Sequence, residues 1–176
     1  MDTKHGHDKD VKANMPRQYL IINNIQKRKN IQDMLLSATA FGVVEVFVVG
    51  QKLLSFDQAL NVEDVLPDFE FPFPITRFAT LVECRDHLKA MDPPVTIVGI
   101  EILHNAKSIN DADIFDGHTA IMAGNEGSGL SDPQIAICDR FAYIPQYGGG
   151  TASLNVTVAT SIVLHSFATW ANSQNC

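Results

Sequence analysis

Apolar positions along this chain fall into two patterns, short unbroken runs and stretches with three-to-four spacing, which predict strands and helices respectively. Unbroken runs at Gln18 to Asn23, Val43 to Val49, Thr96 to Ile102, Thr119 to Ala123 and Phe141 to Ile144 read as strands. Helical spacing predicts a helix from about Asn30 to Phe41, with Ile31, Met34, Leu35 and Ala38 as its core stripe and Gly42 closing it. Leu81 to Met91 places Leu81, Cys84 and Leu88 on one face, and Asp92-Pro-Pro94 stops it. Ser131-Asp-Pro opens a short helix running to about Cys138, with Pro133 in its permitted first turn. The last helix runs from Asn155 to about Trp170. Between Gly50 and Pro74 there is no clean period, and Pro67, Pro72 and Pro74 predict a long irregular connection.

A strand that is apolar at successive positions is covered on both sides. Strands of this kind alternating with helices predict an α/β domain whose mainly parallel sheet has helices on both faces. Residues 17–176 read as that single domain, behind a flexible polar tail at 1–16. The last helix is apolar nearly all round, through Val156, Val158, Ala159, Ile162, Val163, Leu164, Phe167 and Trp170. Such a helix is buried on more than one side. The sheet covers one side, and either a second subunit or the N-terminal segment covers the other.

Composition narrows the functional classes. The chain of 176 residues is 45% hydrophobic and 19% charged, an ordinary globular balance. Its first residues are charged, with no apolar stretch of the secretory type, and no run is long enough to span a bilayer. Cys84, Cys138 and Cys176 are odd in number and widely spaced, which argues against a disulfide framework and a zinc site. A reducing, cytoplasmic compartment is expected, without metal or membrane. His5 and His7 beside Asp8 read as part of the polar tail. A net charge of −7 opposes a broad electrostatic grip on nucleic acid. Residues 1–29, however, hold seven of the thirteen basic residues against three acids, a local net of +4, and the remainder carries −11. An RNA site would be local and built on Lys27, Arg28 and Lys29.

Two segments carry the candidate chemistry. Ile121-Met-Ala-Gly-Asn-Glu-Gly-Ser-Gly-Leu130 and Tyr143-Ile-Pro-Gln-Tyr-Gly-Gly-Gly-Thr-Ala-Ser-Leu-Asn-Val156 each end an apolar run in a Gly-rich loop and then open a helix. Main-chain N–H and C=O groups are therefore left accessible to a ligand. Gly124 to Gly129 lacks the Gly-Lys-Ser/Thr ending of a P-loop and the spacing of a dinucleotide fingerprint. With Tyr19-Leu-Ile-Ile-Asn-Asn-Ile-Gln-Lys-Arg-Lys-Asn30 and Ser37-Ala-Thr-Ala-Phe-Gly-Val43, these segments resemble, in order, the three motifs of the SpoU/TrmH branch of the SPOUT RNA methyltransferases.

That resemblance implies a deep trefoil knot towards the C-terminal end, an exception to the rule that chains do not thread themselves. It also implies a homodimer, S-adenosylmethionine as cofactor, and methyl transfer to a ribose 2′-hydroxyl of RNA, with tRNA favoured over rRNA because no large domain is attached. Ile100 would line an adenine pocket, and Ala123, Gly124, Asn125, Gly127, Ile144, Gly148, Ser153 and Leu154 would hold the rest of the cofactor. Glu126 would order the catalytic loop, with Asn30, Ser153 and Asn155 near the reacting ribose. Ser153 and Asn155 also read as helix caps.

The first motif departs from the family pattern. Glycine is replaced by Gln32, and the arginine that orients phosphate and activates the hydroxyl is replaced by Leu36. Helical spacing puts Gln32 and Leu36 on one face, directed away from the core stripe. Arg28 is the candidate substitute cation. Without one, the alternative is a catalytically impaired or partner-dependent RNA-binding subunit that keeps the cofactor pocket.

Overall fold

The computed structural model describes residues 15–51, 53–60, 70–148 and 153–174. Most of the polar tail, with His5, His7 and Asp8, lies outside the described residues, as do Pro67, residues 149–152 of the last Gly-rich loop, and Cys176.

Seven strands form one sheet: β1 Gln18–Asn23, β2 Glu45–Val49, β3 Ile75–Phe78, β4 Thr96–Ile100, β5 Lys107–Ser108, β6 Thr119–Ala123 and β7 Arg140–Tyr143. Their order across the sheet is β3-β2-β1-β6-β4-β7-β5, and all neighbours pair in parallel. Among the described residues, four helices lie between strands, α1 Arg28–Ala40, α2 Leu53–Leu60, α3 Leu81–Lys89 and α4 Asp132–Ile137, and a fifth, α5 Val156–Ser173, follows β7.

The unbroken apolar runs are explained by two cores, one on each face. Leu20, Ile22, Val46, Val48, Val98 and Ile121 meet α1, α2 and α5 through Met34, Leu35, Phe56, Leu164 and Phe167. The alternating partners Tyr19, Ile21, Phe47, Ile97, Ala120 and Met122 meet α3 and α4 through Cys84, Leu88 and Ile137. The mainly parallel α/β sheet covered on both faces is therefore the fold. Burial pushes the free thiols of Cys84 and Cys138 up to about 12, with nearby Glu45 and Asp139 respectively adding to the effect. Neither thiol is a nucleophile near neutral pH.

Local chemistry sets the element ends. Gly42 adopts φ +74° after α1, and the N–H groups of Gly42 and Val43 donate back to Thr39 and Ala38, a Schellman closure. Val43 is thereby part of the turn, and β2 begins at Glu45 rather than at Val43 as expected. Thr80 and Glu83 form a reciprocal capping box at the start of α3. Asn155 caps α5 by accepting from the Thr157 and Val158 amides at 2.8 and 3.3 Å.

Three elements depart from the sequence expectation. The stretch between Gly50 and Pro74, expected to be irregular, contains α2, whose Phe56 and Ala59 are fully buried. β3 and β5 lie at the two sheet edges, where short, half-polar strands carry little periodic signal.

The presence of α2 also changes the reading of α1. Gln32 is only 7% exposed and Leu36 is half-buried, so the pair does not form the open face expected of it. Asn30 and Ser37 face α5, with the Ser37 and Ser161 hydroxyls 2.7 Å apart. Gln32 and Leu36 lie on the opposite flank, and α2 packs against α1. The final helix is likewise covered from within. Val163 and Phe167 are buried within the chain, with Phe167 against Phe115 and Trp170, so they are not available to a second subunit. The N-terminal segment, through α1, supplies the second cover. Val158, at 47% exposure, is the large apolar α5 side chain left open.

Candidate functional site

Strand order places the site. β1 leads outward to β2 and β3, whereas β4, β7 and β5 lie on the other side, with β6 inserted between β1 and β4. Parallel sheets bind ligands beyond the carboxyl ends of their strands, at the point where the order reverses. A cleft of about 290 Å³ opens there, over the ends of β4, β6 and β7 and beside the start of α5.

Its floor is the loop that follows β6. The Asn125 N–H donates to the Gly129 carbonyl at 2.8 Å, and the Gly129 N–H returns to the Asn125 carbonyl at 3.1 Å. The Asn125 side-chain oxygen accepts the Gly127 amide at 2.9 Å, while its amide group donates to the Asn24 carbonyl. Gly129 has φ +69°, a region costly for other residues. At Gly124 the constraint is space: a Cβ there would lie 2.2 Å from the Gly129 carbonyl carbon and 2.3 Å from the Leu130 nitrogen. Main chain rather than side chain therefore forms this surface.

Ile100, Ala123, Gly124, Asn125, Gly127, Ile144, Ser153 and Leu154 all line the cleft, as does Glu126. Gly148, expected among them, does not line it, and a Cβ added there would meet nothing within 4 Å among the described residues. Ser153 lines the cleft, and Asn155 alone of the two is the helix cap.

At the rim, Glu126 draws in the start of α1, a hundred residues earlier. Its carboxylate accepts from the Gln26 and Lys27 amides at 3.2 and 3.0 Å, and from the Asn30 side-chain amide at 2.9 Å. Burial alone would raise this carboxyl, but the donated hydrogen bonds outweigh it and hold the group below its ordinary value of 4.5. A carboxylate can only accept, so Asn30 must turn its NH₂ to Glu126 and its oxygen outward. That oxygen lies 3.3 Å from the Asn155 side-chain nitrogen, leaving the Asn155 oxygen to cap α5. The orientations of both amides follow from the single negative charge. Thr157 adds a hydroxyl contact to the Asn30 carbonyl at 3.3 Å.

The three exposed basic residues differ in their pairing. Lys29 pairs with Asp33 one turn along α1. Lys27 contributes its main-chain N–H to Glu126, with its side chain exposed. Arg28 is exposed and forms no hydrogen bond or ion pair among the described residues. Sequence reasoning missed Glu101, Gln146 and Ala159 in the lining and Thr157 at the rim. Glu101 was hidden inside a strand expected to run on to Ile102, whereas β4 ends at Ile100.

Among the described residues, no three His, Cys, Asp or Glu side chains cluster in a way that could hold a metal ion, and no helix is long and apolar enough to cross a membrane.

Comparison with known proteins agrees with this architecture. The 23S rRNA (guanosine(2553)-2′-O)-methyltransferase RlmP of Bacillus subtilis is 27% identical over 161 residues, covering 90% of this chain and 61% of that protein. The chain spans little more than half the length of the curated relatives it matches. The SpoU methyltransferase AviRb from Streptomyces viridochromogenes, crystallised with the cofactor AdoMet, superposes with a TM-score of 0.70 at 22% identity, covering 94% of this chain and 64% of that one. The A. aeolicus TrmH/SpoU tRNA modifying enzyme superposes with a TM-score of 0.68 at 19% identity, covering 95% of this chain and 85% of that one. At those identities the structures share the fold. The SpoU rRNA Methylase family model matches residues 17–165, most of the sequence, and the chain belongs to that family.

Proposed function

We propose that this protein transfers a methyl group from S-adenosylmethionine to a ribose 2′-hydroxyl of RNA. The observation that carries this reading is the convergence of the glycine-walled cleft with the Glu126–Asn30–Asn155 relay at its rim. The lining fits a nucleoside: it is mostly main chain and aliphatic, and its volume lies near the lower end for small-molecule sites. Ile100, Ala123, Gly124, Asn125, Gly127, Ile144, Ser153 and Leu154 would hold the cofactor, which supplies a methyl group activated on a sulfonium. Glu126, saturated with donors and held ionised, serves to fix the start of α1 rather than to take a proton. Asn30 and Asn155 present amide groups for a ribose, and Arg28 at the start of α1, exposed and without a hydrogen bond or ion pair among the described residues, offers a guanidinium for a phosphate.

For the substrate class we carry forward tRNA. The A. aeolicus tRNA modifying enzyme, most of whose length this chain spans, supports it, and the 23S rRNA relative makes rRNA the competing outcome. Residues 17–176 as one knotted, cytoplasmic domain behind a tail at 1–16, acting as a homodimer, belong to the same reading. Such a dimer would use the Val158 side of α5, since Val163 and Phe167 are buried. Sedimentation equilibrium should give twice the chain mass at micromolar concentration, and Val158→Asp should shift the protein towards monomer. A wild-type monomer would remove the dimer from the reading.

The function is tested with labelled cofactor and separate tRNA and rRNA pools. Label in ribose 2′-O-methyl groups of tRNA is expected, whereas no label in either pool favours the catalytically impaired, partner-dependent subunit that keeps the pocket. Arg28→Ala should lower the rate by roughly 10²-fold if Arg28 has taken over the missing cation's work. Leu36→Arg should cost about 1 kcal/mol of stability, since a half-buried leucine is lost but the arginine stem can lie along the surface. It should leave the rate unchanged. A rate gain in Leu36→Arg would instead mark the natural Leu36 as an impairment.

A further inference from the structure

Glu101 is an acid in the cleft wall with no cationic partner among the described residues. One carboxylate oxygen accepts the Leu130 amide at 2.9 Å and the other accepts the Ile102 amide at 2.9 Å. The first bond ties the end of β4 to the far end of the Gly-rich loop, twenty-nine residues on. Gly129 leaves room for it: a Cβ at that position would lie 2.2 Å from the Glu101 Oε2 atom. Leu130 in turn sits over Gly99, where an added Cβ would meet its Cδ1 at 2.8 Å. The loop thus has two anchors. Glu126 holds its near end to α1, and Glu101 holds its far end to β4, with the paired main-chain bonds of Asn125 and Gly129 between them.

We propose that Glu101 is a positioning residue for nucleoside binding, fixing the loop 124–130 in the shape that receives the cofactor. Hydrogen bonds to an ionised acceptor are stronger than neutral ones, so two amides bound to one carboxylate stiffen the junction of strand and loop. A ligand held mainly by main-chain groups depends on where that main chain stands. Binding would otherwise have to order the loop at its own expense. The inference rests on the cofactor reading above.

The experiment uses the full chain, Glu101→Ala and Glu101→Gln, titrated with S-adenosylhomocysteine by calorimetry and followed by amide hydrogen exchange. Glu101→Ala should bind roughly 10–100-fold more weakly, the size expected for losing a hydrogen bond to a charged group. Glu101→Gln keeps one acceptor oxygen and should fall between it and the wild type. Exchange should accelerate at Leu130 and across 125–129, with the amides of β1 and β6 unchanged. Wild-type affinity in Glu101→Ala overturns the proposal, as does exchange that accelerates equally throughout the sheet, which marks a general structural role. If the wild type itself binds no S-adenosylhomocysteine, the cofactor reading has failed and the positioning role for that ligand falls with it. Exchange confined to the loop would then show a purely local anchor. Should Glu101→Ala not fold, the binding and exchange of Glu101→Gln decide.

Discussion

Gly124→Ala is expected to abolish measurable S-adenosylhomocysteine binding while leaving the secondary structure in place. The added methyl group would sit 2.2 Å from the Gly129 carbonyl carbon, 2.3 Å from the Leu130 nitrogen and 2.5 Å from the Gly129 oxygen. All three are main-chain atoms, so no side-chain rotation relieves the contact. They are also pinned, since Gly129 is bonded twice to Asn125 and the Leu130 amide is held by Glu101. Relief therefore requires the loop to move by about an ångström, and displacements of that size in a positioning element cost about 10²-fold in function. Overpacking of this kind costs about 1–3 kcal/mol. For a domain of this size that is a fall in Tm of roughly 2–12 °C. Gly148→Ala is the control, because nothing among the described residues lies within 4 Å of its Cβ position and it does not line the cleft. It should bind the ligand as the wild type does. Tight binding by Gly124→Ala would mean that the cleft over β6 is not the nucleoside site.

The sequence carried the parts of this structure that depend on local or doubly buried patterns. β1 and β6 are apolar at consecutive positions because one alternate set faces α1 and α5 and the other faces α3 and α4. The Gly42 closure and the Asn155 cap are local chemistry, visible within a few residues. Strand order is not local. No residue pattern states that β6 inserts between β1 and β4, yet that insertion brings Glu126 to Asn30 across ninety-six residues of sequence. The candidate residues could be named one at a time from family motifs, but their assembly into a relay had to be seen.

The difference between the expected and observed surroundings of α1 has a physical cause. Leu36 and Gln32 point away from the stripe formed by Ile31, Met34, Leu35 and Ala38, and where one helical layer covers a sheet, away from the sheet means towards solvent. A second layer of packing breaks that equation. α2, obscured by its proline-rich surroundings, packs against α1, and α1 itself covers α5. Glu101 was missed for the opposite reason. An acid following Ile100 in an apolar run looks like a strand residue facing water, whereas here the strand ends and the carboxylate turns to collect two main-chain amides.

Glu126→Gln should lower methyl transfer by about 10²-fold at neutral pH, through misplacement of Asn30 and Asn155 rather than loss of a base. Glutamine keeps one oxygen but turns an NH₂ group towards donors it cannot satisfy, because the Gln26 and Lys27 amides and the Asn30 side chain all donate to the native carboxylate. With that charge gone, nothing dictates which way the Asn30 amide points, and the contact to the Asn155 nitrogen is no longer enforced. A pH series separates this account from a simple packing defect. The folded Glu126 carboxyl is held below its ordinary value of 4.5, so its stabilising effect is fully present above that value and is lost as pH falls through the lowered one. The wild type should therefore be more stable than Glu126→Gln at neutral pH, and the difference in Tm should shrink steadily as the pH is taken below 4.5. At neutral pH the kcat of Glu126→Gln should fall further than its affinity for S-adenosylhomocysteine does, because the loop loses its Glu126 anchor but keeps the Asn125–Gly129 pairing and the Glu101 anchor. A Tm difference that stays constant from neutral pH into the acid range would show that the carboxylate's charge is not what holds α1 to the loop.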